Sequence, residues 1–174
     1  MIMLRVRLIE SSRIYFGGIR LRKDRFLLDR RVIEKEIVEH QDSVGIVPVN
    51  GRDVILVAQY RRAAGKVLLE IPAGKIEKGE IPRRAAIREM AEEIGYSGKL
   101  EPLMRFYLAP GYSTELMHVF VATNLRKITR GPLDDDENIR IKKMKLGAAL
   151  RKCLSGEIQD SKTVGALLAY SQSD

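Results

Sequence analysis

The sequence predicts an α+β protein, a mixed β-sheet with a few packed helices. Three observations carry this reading. The first forty residues hold β-branched or alternating apolar segments with little helical spacing. An Asn-Gly pair at 50–51 sits between two apolar runs. Apolar residues at helical spacing then occur in three separate stretches, 81–94, 146–154 and 161–171.

Taken in order, Met3–Ile9, Ile14–Leu21 and Val32–Glu39 read as strands, with Gly17-Gly18 as a tight turn or bulge. Such a meander, residues 1–41, has little core of its own and must dock on the rest of the chain or on a partner subunit. Asn50-Gly51 is a strong hairpin signal. Val54–Ala58 is nearly continuously apolar, as in a strand covered on both faces. Val67–Ile71 reads as a further short strand. The helix over 81–94 has Pro82 in its first turn, Ala85, Ala86, Met90 and Ile94 at helical spacing, and Gly95 as C-cap. Leu103–Leu108 and Leu116–Ala122 flank a turn at APGYS, and Ile139–Met144 is a short strand. Two helices follow, the second with Asp160 or Ser161 as N-cap.

At 174 residues, with 45% hydrophobic and 31% charged residues, the chain has an ordinary globular balance. No apolar run reaches eighteen residues, so no transmembrane helix is expected. The start, MIMLRVRLIE, is too short and too charged for a signal peptide. The single cysteine, Cys153, has no internal disulfide partner, and a cytoplasmic location is expected. The net charge of +8 suits anionic ligands. Its basic pairs (Arg30-Arg31, Arg61-Arg62, Arg83-Arg84, Lys142-Lys143) are scattered, and aromatics make up only 6%. Neither feature forms the stacking platform of a nucleic-acid binder.

The densest feature is GKIEKGEIPRRAAIREMAEEIGY, residues 74–96. On an α-helix Glu89, Glu92 and Glu93 share one face. Their mutual repulsion calls for a counterion. Arg84 is placed to pair with Glu89, whereas Arg88 projects about 100 degrees around the helix. Hard divalent cations such as Mg²⁺ and Mn²⁺ take oxygen ligands and bridge to phosphates, so a metal site is the functional reading. Glycines at 74 and 79 let the backbone approach metal and phosphate.

Gly74, Glu80, Arg88, Glu89, Met90, Glu92, Glu93, Gly95 and Tyr96 stand at the spacing G-x5-E-x7-R-E-U-x-E-E-x-G-U, with U aliphatic. The segment therefore resembles the box of the Nudix hydrolases; Met90 and Tyr96 are its looser fits. The resemblance implies an α/β/α sandwich over residues 42–174, a loop–helix–loop at the box, and hydrolysis of a nucleoside diphosphate linked to another moiety. It implies Glu89 and Glu93 as main metal ligands with Glu92 assisting, and the Ala73 carbonyl completing the site. Arg88 would orient the carboxylates by an internal ion pair, and Glu80 would be structural or an outer ligand.

The flanks resemble the ADP-ribose pyrophosphatase subfamily: Gln59-Tyr60-Arg61, then Leu69-Glu70-Ile71-Pro72-Ala73-Gly74-Lys75, then Ala109-Pro110-Gly111-Tyr112-Ser113 and Glu115. The subfamily usually has Ser where this chain has Ala109. Residues 134–140 and 156–163 also look like that group. This implies substrate contacts from Arg61 (phosphate or terminal ribose), Glu70 (substrate or a dimer interface), Gly111 and Glu115. It implies a homodimer that exchanges the N-terminal meander, two or three Mg²⁺ or Mn²⁺ ions, and ADP-ribose split to AMP and ribose 5-phosphate. In the acidic loop, alignment on Ile139-Arg140 puts Glu137 on the metal side and Asp135 at the position of the water-activating base. Aspartate is one methylene shorter than the usual glutamate, so Glu137 is the other candidate base. Cys153, His118 and His40 read as structural. The alternatives are another substrate of the same family (a different nucleoside diphosphate sugar, a dinucleoside polyphosphate, an oxidised nucleotide) or a nucleotide- or RNA-binding protein without activity.

Overall fold

The computed structural model describes residues 6–131 and 138–173. Its contacts divide the chain into two units. One holds the residues up to Asp42 together with Tyr107–Leu116, and the other holds Ser43–Phe106 and the residues from Met117 on.

The first unit is a three-stranded antiparallel sheet in the order β1 (Val6–Phe16), β2 (Arg20–Leu28), β3 (Arg31–Glu39). Gly17 and Gly18 lie in a turn that ends β1, so β2 begins at Arg20 and runs through the charged stretch Arg22–Arg25. That stretch has no apolar alternation; opposite charges hold it. Asp24, 2% exposed, accepts from Ser11 Oγ at 2.6 Å and from Arg22 Nε at 3.0 Å, and Arg22 also reaches Glu39 at 2.8 Å. Among the described residues of these strands Asp24 alone is buried, while Val6, Leu8, Ile14, Phe16 and Val32 are exposed. Residues 112–114 clamp the end of β3: Val38 N–H donates to the Tyr112 carbonyl at 2.7 Å, and Thr114 N–H to the Val38 carbonyl at 3.1 Å.

The second unit is built on a seven-stranded mixed sheet. Its path is β10 (Ile139–Lys145), β5 (Asp53–Arg61), β4 (Ser43–Asn50), β9 (Leu116–Lys127), β8 (Tyr96–Tyr107). Two short strands pair beside this path, β6 (Lys66–Glu70) on β5 and β7 (Ala73–Lys75) on β4. The β4/β9 pair is parallel; β5 pairs antiparallel with β4, β6 and β10, and β7 antiparallel with β4. Asn50-Gly51 does make the hairpin: Asn50 faces Asp53, and Gly51 turns at φ +61°.

Both faces of β4 and β5 are covered, which explains their continuous apolar sequence. Val44, Ile46, Ile55 and Val57 pack with Ala85, Ala86, Met90 and Ile94. On the other side α2 (Leu146–Leu154) lies against β5 and β10, and α3 (Ser161–Gln172) against β4 and β6. The result is the expected three-layer arrangement. Cys153 is buried in α2, where burial pushes its thiol pKa up.

The helix at the box departs from expectation in its last turn. It is α-helical over α1 (Pro82–Glu89) and then widens to a π turn over Met90–Ile94. Gly95 ends it in the left-handed region at φ +69°, donating to the Ala91 carbonyl at 3.1 Å. Arg130 Nε donates to the Glu92 carbonyl at 2.9 Å, and Gly131 N–H to the Ala91 carbonyl at 3.3 Å, so carbonyls at this helix end also have partners outside the helix.

Two glycines separate strain from crowding. A Cβ on Gly51 would meet nothing within 4 Å, whereas one on Gly95 would lie 3.3 Å from Arg130 Cβ and from the Ile128 carbonyl oxygen. Gly51→Ala should therefore cost only the left-handed penalty, about 1 kcal/mol and a Tm drop of about 2–4 °C. Gly95→Ala should lower Tm at least about twice as far by adding a contact penalty. Equal melting shifts for the two variants would contradict this reading.

Candidate active site

The site is built where β7 passes under α1. Gly79 turns the connecting loop at φ +83°. Glu80 closes it locally: its N–H donates to the Glu77 carbonyl at 3.0 Å, and its carboxylate accepts from Glu77 N–H at 3.1 Å. Pro82 then opens α1 at a position where a missing N–H costs nothing.

Arg88 is the hub. Its Nε and Nη2 donate to the two oxygens of Glu80 at 3.2 and 3.0 Å. Nη2 also donates to the Lys75 carbonyl at 3.0 Å. Nη1 donates to Glu89 at 2.7 Å and to Glu92 at 3.1 Å. A guanidinium has five N–H bonds, so each has an acceptor. The side chain folds back onto the cluster rather than projecting away, and Arg88 supplies the pairing of Glu89 for which Arg84 was placed by sequence. The Glu80 carboxylate, with Glu89 and Glu92, raises the Arg88 pKa, and the Arg88 guanidinium in turn lowers that of Glu80.

Gly74 and Glu89 are in close approach. A Cβ on Gly74 would fall 1.9 Å from Glu89 Oε1, so the carboxylate lies directly on the glycine backbone. Glu93, 3% exposed, accepts from the Ala73 N–H at 3.0 Å. Glu93 lies in the π turn and meets the strand one residue before the glycine that Glu89 touches. Glu89, Glu93, Ala73 and Gly74 are thus brought together, with Glu92 held on their flank by Arg88.

The donors fit a hard divalent cation. Glu80, Glu89 and Glu92 bring three carboxylates to one guanidinium, Glu93 adds a fourth at the Ala73 amide, and the excess negative charge suits Mg²⁺ or Mn²⁺. Among the described residues, no three His, Cys, Asp or Glu side chains converge as a finished metal cage. The reason is visible in the bonding: Glu89 and Glu92 turn toward Arg88, and Glu93 toward the Ala73 amide.

A second charged cluster lies at the end of β5. Arg61 Nε and Nη2 each donate to Glu70 at 2.7 Å, a bidentate pair. Glu70 is 1% exposed. It also accepts from Lys162 Nζ, which donates to Asp160 at 2.7 Å. Burial works to raise the Glu70 pKa, but the Arg61 and Lys162 hydrogen bonds and charges together bring it below its ordinary value. Asp160 caps α3 through Thr163 N–H at 2.9 Å, and Thr163 Oγ1 accepts from Ile71 N–H at 2.8 Å. Sequence reasoning placed Arg61 at the substrate and Glu70 at the substrate or a dimer interface, and gave Lys162 no role. The signal was present: a lysine in the first turn of a helix opposes the helix dipole and needs a reason.

Gly111 and Glu115 belong to the first unit. A Cβ on Gly111 would meet nothing within 4 Å, and Glu115 lies 3.5 Å from His40 Nδ1. Asp135 and Glu137 lie outside the described residues.

A carboxylate-rich loop and helix on a doubly covered mixed sheet define a class of diphosphate-cleaving enzymes, and the comparisons agree. Residues 39–163 match the model of the NUDIX domain, and the chain belongs to the NUDIX family of pyrophosphohydrolases. The chain is 37% identical to the methanol dehydrogenase activator of Bacillus methanolicus, covering 91% of this chain and 89% of that one. It is 39% identical to the ADP-ribose pyrophosphatase of Bacillus subtilis over 77% of this chain and 74% of the relative. It is 31% identical to a GDP-mannose pyrophosphatase of Escherichia coli over 80% of this chain and 78% of the relative. A crystal structure of an ADP compounds hydrolase shares the fold, with a TM-score of 0.84 over 97% of this chain and 93% of that one at 22% identity.

The Gly74–Glu89 approach is directly testable. Gly74→Ala should displace the Glu89 carboxylate and break its bond to Arg88. Diphosphate hydrolysis should fall by at least about tenfold while the melting temperature moves by only a few degrees. Unchanged activity would show that the position of Glu89 does not matter.

Proposed function

We propose that the enzyme hydrolyses ADP-ribose to AMP and ribose 5-phosphate with the help of two or three divalent cations, Mg²⁺ or Mn²⁺. The observation that carries the chemistry is the meeting of Glu89 and Glu93 at the Ala73-Gly74 backbone, with Arg88 spanning the box. The substrate rests on the ADP-ribose pyrophosphatase relatives, up to 39% identical, and on the Gln59-Tyr60-Arg61 and Leu69–Lys75 segments.

Glu89 and Glu93 would hold the cations, with Glu92 and the Ala73 carbonyl assisting. Bound cations would supply charge for the diphosphate and lower the pKa of an attacking water. Arg88 keeps the carboxylates in place, as its five hydrogen bonds require. Arg61 binds a substrate phosphate or the terminal ribose with the part of its guanidinium turned away from Glu70. An acidic-loop carboxylate, Asp135 or Glu137, takes the proton of the attacking water, and Glu137 also stands as a metal-side acid. Gly111 and Glu115 belong to the substrate loop. Glu70 acts through Arg61, given its burial and bidentate bond.

The functional species is a homodimer in this reading. The exposed apolar residues of the first sheet, among them Val6, Leu8, Ile14 and Val32, support it, because the described residues of these strands bury a charged network and leave this apolar surface uncovered.

A second reading, a nucleoside diphosphate sugar such as GDP-mannose, is favoured by the relatives of that name at 31–32% identity. Product analysis separates the two. With Mg²⁺, AMP release from ADP-ribose should exceed GMP release from GDP-mannose by at least about tenfold in kcat/KM, and chelation should abolish both. A preference for GDP-mannose would replace the ADP-ribose assignment, and turnover that survives chelation would remove the metal from it.

A further inference from the structure

Lys162 stands where a lysine is disfavoured twice. It occupies the first turn of α3, at the positive end of the helix dipole. It is 8% exposed, so its ammonium has lost most of its water. An apolar residue of the same length would fill the space without either cost. What the ammonium meets explains its presence. It donates to Asp160 at 2.7 Å and to the same Glu70 oxygen that accepts from Arg61 Nη2.

The four charges balance as two cations and two carboxylates. Glu70 and Asp160 are buried to 1% and 14% side-chain exposure. With Lys162 removed, Arg61 alone would face both. Asp160 and Glu93 already act on Arg61 electrostatically. Arg61 is the only member of the four that reaches solvent substantially, with 41% of its side chain exposed. Glu70 occupies its Nε and Nη2, and Nη1 has no partner among the described residues. One edge is anchored and the other is presented.

We infer that Lys162 is a positioning residue for Arg61: it neutralises the second buried carboxylate, so that Glu70 holds the Nε edge of Arg61 and leaves the Nη1 edge for the substrate's anionic group. This rests on the reading of Arg61 as a substrate contact. Lys162 touches no reacting atom. Its effect therefore belongs in substrate binding rather than in the chemical step.

The test is a cycle on ADP-ribose hydrolysis with wild type, Lys162→Met, Lys162→Arg, Arg61→Ala and the Arg61→Ala/Lys162→Met double variant. Lys162→Met should raise KM by about tenfold with kcat within about twofold, and Lys162→Arg should recover most of the loss. In the Arg61→Ala background, Lys162→Met should change KM by less than about twofold, because its effect runs through Arg61. An equal KM effect with and without Arg61, or a loss confined to kcat, would overturn the inference. If Lys162→Met does not fold, Lys162→Gln takes its place.

A second readout does not depend on the substrate. Solvent exchange of the Arg61 Nε–H, followed by nitrogen-15 NMR, should be at least about fivefold faster in Lys162→Met than in wild type and slow again in Lys162→Arg. Equal rates would overturn the inference even if ADP-ribose proves to be the wrong substrate. A wild type silent on ADP-ribose but with the expected exchange pattern would remove the substrate reading and keep the positioning role.

Discussion

Arg88 uses all five of its N–H bonds, on Glu80, Glu89, Glu92 and the Lys75 carbonyl, and the geometry of the box depends on that saturation. Like-charged carboxylates one helical turn apart repel by a few tenths of a kcal/mol per pair when exposed, and by more when half-buried as here. A single planar donor crossing from one to the next removes that penalty and fixes where each oxygen points. Lysine has three donors on a point charge and could not span the same acceptors. The arrangement still leaves an excess of negative charge, which is what a cation-binding site needs before its cation arrives.

The strands and the helix end hold the same site from the other side. Gly74 gives Glu89 a place on the backbone that a side chain would fill. Glu93, in the π turn, accepts from the Ala73 amide. Residues 70–73 are gripped at both ends, by Thr163 through Ile71 and by Glu93 through Ala73. This short crossing segment connects the Arg61 cluster to the box, so the two charged clusters share one support.

Much of this was legible in the sequence, for local reasons. Asn50-Gly51, Pro82 and Gly95 are punctuation whose conformations depend on their own backbone. The box carboxylates and Gly74 are read by spacing alone. The π turn was not legible, because the spacing of Ala85, Ala86, Met90 and Ile94 and the Gly95 cap read the same for a regular helical turn. Strand β2 was missed in part because its middle is charged and is held by pairing of Arg22 with Asp24 and Glu39, a pattern that apolar alternation does not register. Lys162 reaches Glu70 across 92 positions, and the Asp160 cap beside it gave only a helix start. Gly111 and Glu115 were read as substrate contacts from the subfamily resemblance, and by compactness they belong with the first sheet.

The central claim is that the carboxylates around Ala73 and Gly74 form a divalent-cation site with Glu93 as a main ligand. The most direct measurement is Mn²⁺ binding by electron paramagnetic resonance, on the wild type beside Glu93→Gln, without any substrate. The account predicts saturable binding by the wild type and affinity lower by at least about tenfold in the variant. Equal binding by both proteins would contradict it.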